Sequence, residues 1–298
     1  MDISAEFGAL LAQEIERRRL PGDFIETIER WYFPLAQKIC QQKQSETLLV
    51  SFNGAQGTGK STLTAFLSLI LRHHFDLHTV EISIDDFYLT HEQRQQLAKH
   101  IHPLLATRGV PGTHDVDLAL ATIQCLQSCS AEQPCALPQF DKAIDDRVPE
   151  SQWREVSQAV DVILFEGWCN HAPVQSTQEL QLPVNRLERE EDAQGIWRNY
   201  ANEQLKRYHQ QLFSLADLLV FLQAPSFEKV YEWRGLQEQK LKQQAVDTSK
   251  VMNEDQLRRF IEHYERITRA SLDALPRQAD IVLKLNDEHA ICAMKSRI

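Results

Sequence analysis

Residues 54–61 read Gly-Ala-Gln-Gly-Thr-Gly-Lys-Ser, a G-x-x-x-x-G-K-S loop. The apolar run Leu48-Leu49-Val50-Ser51-Phe52-Asn53 precedes it, and Thr62-Leu63 open an apolar-periodic stretch after it. This is the strand–loop–helix setting in which such a loop binds phosphate. Gly54, Gly57 and Gly59 allow the sharp turns that aim the backbone N–H groups of Ala55, Gln56, Thr58 and Thr62 at one point. A helix opening at Lys60 adds its positive dipole end to the same anion site. Lys60 has the length to reach β- and γ-phosphates, and the Ser61 hydroxyl is of the kind that ligates Mg²⁺.

Two other apolar runs end in acids. Thr79-Val80-Glu81-Ile82-Ser83-Ile84 alternates and stops at Asp85-Asp86, while Asp161-Val162-Ile163-Leu164-Phe165 is almost continuous and stops at Glu166-Gly167. A continuous run suits a strand of a parallel sheet covered on both faces. Ligands of such sheets bind at the carboxyl ends of the strands, so these acids are expected beside the P-loop. Phosphoryl transfer needs charge neutralisation and a carboxylate to activate the attacking hydroxyl, and little covalent chemistry. Glu166 takes the Walker-B-like place and joins Ser61 on the metal side, directly or through water. Asp85 or Asp86 supplies the base. Each acid also has a plainer reading as a helix cap or loop carboxylate.

The elements that must position these groups alternate along the chain. Helices are expected over 4–20 and 22–42, broken at Pro21-Gly22, and from Lys60 to about His73. Asp115 caps another over 116–129. Further helices are expected at about 198–213, 226–245 and 254–273, with strands at 218–222 and 280–285 between and after them. Strand and helix in alternation imply an α/β P-loop NTPase fold: a doubly wound, mostly parallel sheet with helices on both faces and extra helices at the N-terminus.

With 298 residues, 43% hydrophobic, and no Gly/Ser/Pro-rich linker, one P-loop domain over 1–298 is expected, residues 1–45 forming a helical extension. A formal net charge of −10 argues against wrapping a polyanion, so nucleic acid is not an expected partner. The start, Met1 to Glu6, has neither the basic nor the apolar region of a secretory signal. No apolar run approaches the ~20 residues of a membrane span. A soluble, cytoplasmic protein without membrane contact is the expectation; oligomeric state is left open. Six cysteines, with no C-x-x-C pair, read as reduced and largely buried thiols.

Within P-loop classes the sequence narrows further. No N/T-K-x-D guanine motif follows a late strand, no second acid follows Glu166, and no L-S-G-G-Q is present. A kinase of small molecules remains, with a nucleotide-dependent binding or assembly protein as the alternative. Asp85-Asp86-Phe87-Tyr88 resembles the D-x-F-Y of uridine and phosphoribulose kinases, whose first Asp is the base, and Phe165-Glu166-Gly167 resembles their Mg²⁺ site. More narrowly, Arg108-Gly109-Val110-Pro111-Gly112-Thr113-His114-Asp115, Pro138-Gln139-Phe140-Asp141-Lys142 and Glu166-Gly167-Trp168 resemble the plant-type D-glycerate 3-kinase family. So do Trp233-Arg234-x-x-Gln237-Glu238 and Phe260-Ile261-x-x-Tyr264, in collinear order over roughly residues 45–285.

The resemblance implies ATP and Mg²⁺ as cofactors, a small hydroxy acid as substrate, and Asp85 with Lys60 as the catalytic pair. Arg108, His114 and Arg147 are basic groups expected near the strand ends, Arg108 suited to a carboxylate through its planar fork. Family analogy adds acceptor roles for Asp115 and Asp141, which otherwise cap the elements that follow them. Arg234 stands where related kinases carry a phosphate-binding lid, here at about 226–250; a solvated helix face is the other reading. Kinases of this fold acting on nucleosides or pantothenate are alternatives. The sequence departs from the family at His171, where a glycine is expected, and in an acidic insertion from Glu188 to Gly195.

Overall fold

The computed structural model describes residues 4–244 and 253–298, with backbone only over 237–244. A six-stranded sheet runs through it. In chain order its strands are β1 (Leu48–Gly54), β2 (Thr79–Ser83), β7 (Val162–Gly167), β8 (Leu218–Gln223), β9 (Ile281–Leu285) and β10 (Ile291–Ser296). Two small antiparallel pairs lie between, β3 (Cys135–Leu137) with β6 (Arg154–Val156) and β4 (Phe140–Asp141) with β5 (Asp146–Arg147). The spatial order of the large sheet is β10-β9-β8-β1-β7-β2. All neighbours are parallel except β10, which runs antiparallel to β9 along the edge.

Alternation along the central strands builds two cores. Leu48, Val50, Phe52, Val162 and Leu164 face one layer, where they pack under α1 (Ala5–Arg17), α3 (Phe33–Gln42) and α4 (Lys60–His73). Leu49, Ile163 and Phe165 face the other, under α6 (Val116–Gln127) and α8 (Ile196–Gln211). Both faces are therefore dry, the reason these strands read as near-continuous apolar runs. A third cluster joins α9 (Phe227–Gln244) to α10 (Glu254–Ala274) through Phe227, Val230, Trp233, Leu257 and Ile261.

Several expectations are corrected. The second N-terminal helix is not one piece: α2 (Phe24–Thr27) passes through a π-turn at Ile28–Tyr32 into α3. Helix α5 (His91–His100), edge strand β10, the β3–β6 pair, β5 and α7 (Arg186–Glu190) were not among the expected elements. In the acidic 188–195 run, five residues are exposed and two acids are buried in ion pairs. Glu188 is fully buried and pairs bidentately with Arg266 at 2.6 and 2.7 Å, and buried Asp192 pairs with Arg198 at 2.9 Å. The thiols are free, but only Cys129, Cys135 and Cys169 are buried. No described helix is long and apolar enough to cross a membrane. The lid expected at 226–250 is helical as far as Gln244; its remainder, and the side chains of Gln237 and Glu238, lie outside the described residues.

Candidate functional site

The loop between β1 and α4 turns on two residues in the left-handed region, Gly57 at φ 78° and Gly59 at φ 89°. A side chain at either would be strained, so the tight cradle depends on glycine there. The Ala55 carbonyl accepts from the Thr58 amide (3.3 Å), the Thr58 hydroxyl (2.8 Å) and Lys60 Nζ (3.1 Å), which folds the loop and turns Lys60 back across it. Burial lowers the Lys60 pKa from its ordinary value, and Glu166 and Asp85 draw it back up. A cation so desolvated gains most from an anion placed against it.

Beside this cradle β2 and β7 end. The Ser61 hydroxyl donates to Glu166 Oε1 at 2.6 Å. Two hard oxygen donors, one at the start of α4 and one at the end of β7, fit Mg²⁺, which takes one or two protein oxygens and completes its shell from phosphate and water. Among the described residues no cluster of three or more His, Cys, Asp or Glu would hold a metal alone. Asp85 sits on the short 3₁₀ turn that follows β2. Its Oδ1 accepts from the Tyr88 hydroxyl at 2.8 Å and its Oδ2 from Lys142 Nζ at 2.6 Å. Burial pushes its carboxyl up, but Lys142 and the Tyr88 hydroxyl outweigh that and hold it below the usual range. Its neighbour Asp86 moves the other way, pushed up to about 6 by burial, with the Asp85 charge adding to the effect.

These groups line one cavity of about 490 Å³. Lys60, Ser61, Glu166 and Asp85 form one wall; Arg108, Lys142 and Arg234 bring three cations; Trp168, Phe260 and Tyr264 supply the apolar side. Trp168 donates to the Gly109 carbonyl at 3.1 Å and meets Tyr264 edge to face at 4.8 Å, which locks the loop of Arg108 to β7 and α10. The Arg108 guanidinium lies 5.5 Å over the Phe140 ring and pairs through Nη1 with Asp145. Arg234 lies 5.5 Å over Phe260. A second cavity, of about 630 Å³, opens across the loop, lined by Arg18, Gly59, Thr62, Trp233, Asp287 and His289. The Trp233 and His289 rings meet there at 4.3 Å. Trp233 and Arg234 thus serve opposite cavities.

Four residues expected at the acceptor are placed elsewhere. His114 is buried, stacked on Tyr88 at 4.6 Å, with Nδ1 3.0 Å from the Tyr208 hydroxyl; burial lowers its pKa to about 4. Asp115 caps α6 through the Leu118 amide, and its other oxygen receives Arg147 Nη2 at 3.2 Å. Arg147 also donates to the Tyr88 carbonyl, so the pair fastens the segment after β2 to α6. Asp141 accepts from the Ala143 amide at 2.8 Å and caps its turn. None of the four lines the cavity. Lys142 had no expected role, although it ends the Pro138–Lys142 block, and no motif signalled one for Arg94 or Asp145.

No family model matches the chain. It is 33% identical over 232 residues to the uncharacterized kinase mug58 of Schizosaccharomyces pombe, covering 74% of this chain and 79% of that protein. It is 31% identical over 238 residues to the chloroplastic D-glycerate 3-kinase of Arabidopsis thaliana, covering 76% of this chain and 48% of that one, so it spans about half that relative's length. The solved D-glycerate 3-kinase of Cryptococcus neoformans superimposes with a TM-score of 0.71 at 25% identity, over 93% of this chain and 100% of that one.

Proposed function

The chain belongs to the D-glycerate 3-kinase family of P-loop kinases, and from that premise we propose that it transfers the γ-phosphoryl group of ATP to a hydroxyl of D-glycerate. That it is an ATP-dependent kinase of a small molecule rests on its relatives; the acceptor, the metal and the residue roles are the proposal. The observation that carries it is the single cavity onto which Lys60, Ser61, Glu166, Asp85 and Arg108 all open. Phosphate cation, metal-side oxygens, base and carboxylate receiver are the parts that transfer to a small hydroxy acid requires.

Lys60 and the loop amides hold the β- and γ-phosphates. The nucleoside extends into the cavity beside Trp233 and His289. Ser61 and Glu166 would hold Mg²⁺, which when bound neutralises charge developing on the phosphoryl oxygens. Asp85, kept ionised beside Lys142, accepts the acceptor hydroxyl proton as that oxygen attacks. Arg108 pairs with Asp145 through Nη1 alone among the described residues, so the rest of its fork can receive the acceptor carboxylate. Coupled ADP release with and without D-glycerate tests the reading. Stimulation by D-glycerate above other hydroxy acids and nucleosides is expected. Stimulation by another metabolite alone overturns the acceptor, and acceptor-independent turnover alone overturns the transfer.

A further inference from the structure

The 140–147 hairpin touches the site at two points and is fixed from behind at a third. Its Lys142 reaches Asp85 Oδ2 at 2.6 Å although the lysine side chain is 59% exposed. Its Asp145 binds Arg108 on one oxygen and Arg94 Nη1 on the other at 3.0 Å. Arg94, from α5, is fully buried and also donates to the carbonyls of Asp145 (2.6 Å), Ala106 (3.0 Å) and Leu89 (3.1 Å). A buried guanidinium with its hydrogen bonds filled is a rigid anchor. The tip of a hairpin whose strands have two residues each is thereby held in register with the end of β2.

We infer that Lys142 is a positioning residue for phosphoryl transfer: delivered by the Arg94-anchored hairpin, its ammonium keeps the Asp85 carboxylate ionised and aimed into the cavity. The inference rests on the reading of Asp85 as the acceptor-side base. Of the groups around Asp85, Lys142 does most of this work, and the Tyr88 hydroxyl adds one hydrogen bond. Asp86 lies next in sequence and is acidic, Tyr88, Tyr264 and Cys169 are neutral, and His114 is kept neutral by burial. Of the other charged groups on the cavity, Lys60 turns back over the P-loop, Arg108 is paired with Asp145, Arg234 lies over Phe260, and Glu166 accepts from Ser61. Without Lys142, burial favours the protonated carboxyl, which cannot accept a proton, against the one hydrogen bond from Tyr88.

The test needs no acceptor. In protein carrying ¹³C-labelled aspartate, the carboxyl signal absent from Asp85→Asn reports Asp85, and the one absent from Asp86→Asn reports its neighbour. In Lys142→Met the Asp85 midpoint is expected to rise by about one pH unit, the low end for loss of an adjacent opposite charge, because this lysine is solvated. Lys142→Arg is expected to keep the wild-type midpoint. An unmoved midpoint in Lys142→Met overturns the inference. The acid limb of kcat/KM, measured with whichever acceptor stimulates wild-type turnover, should move with the midpoint while the KM for ATP stays constant. A moved midpoint with an unmoved limb overturns Asp85 as the base, and the positioning role with it, and leaves the nucleotide site standing.

Discussion

The two sides of the P-loop are held by different physics. On the donor side the cradle is one contiguous turn, closed by bonds to a single carbonyl and seated between β1 and α4. On the acceptor side the wall comes from the end of β2, the 108–114 loop, the hairpin, β7 and α10, cross-linked by charged side chains. The first geometry is written into backbone dihedrals; the second depends on which ion pairs form. A backbone cradle tolerates the exchange of its neighbours, while a wall of ion pairs transmits any single charge change to its partners. Substitutions on the two sides should therefore fail in different ways.

The largest expected effect is at Asp85. Asp85→Asn should lower kcat by about 10²–10⁴, the usual contribution of a general base, with little change in ATP affinity. Equal or greater damage from Asp86→Asn would move the base by one residue. Lys60→Met should cost about 10²–10³ in kcat as an electrostatic donor to the transferring group, on a fold of unchanged thermal stability. Near-normal turnover would remove the donor side from the comparison altogether.

Arg108→Lys keeps the charge and loses the fork, so the acceptor KM should rise about tenfold to a hundredfold while the KM for ATP is constant. Equal weakening of both substrates would place Arg108 on the donor side instead. The smallest effect is on stability. The folded Asp86 carboxyl is raised to about 6, so its contribution to stability is fully present below its unfolded value near 4 and is lost as pH rises through 6. Asp86→Asn should then be more stable than wild type at pH 7.5, by on the order of 2 kcal/mol, with the gain gone below pH 4. Denaturant titrations at several pH values decide it, and a pH-independent difference would mean that Asp86 is not buried as a charge. The His114, His171 and His263 rings act with the opposite sign over much the same range, since desolvation lowers each to about 4 and each loses stability as pH falls from about 6.5.

What the sequence showed follows the same division. The P-loop, the acids after β2 and β7 and the alternation of elements are local patterns, and each is legible in a window of a dozen residues. The acceptor wall is not. In α5 only Arg94 is buried, so no apolar period marks the helix, and nothing nearby announces that one of its cations is structural. Asp115 and Arg147 looked like two independent acceptor ligands, the first by family analogy and the second as a basic group expected near the strand ends; in space they satisfy each other. His171 shows a departure becoming intelligible: it stands where relatives are expected to carry glycine and sits at φ 56°, the conformation glycine adopts without strain. Its ring stacks on Phe213 at 4.9 Å, a contact glycine could not make.

Strand β1 lies between β7 and β8 inside the sheet, and each residue from Leu48 to Gly54 is buried. Its amides should meet solvent deuterium only when the sheet itself comes apart, whereas the hairpin lies outside that sheet. The phosphate loop therefore hangs from a strand expected to exchange slowly. Nucleotide should slow exchange in residues 55–62 and leave β1 at the global rate, and an acceptor should add protection chiefly at 140–147.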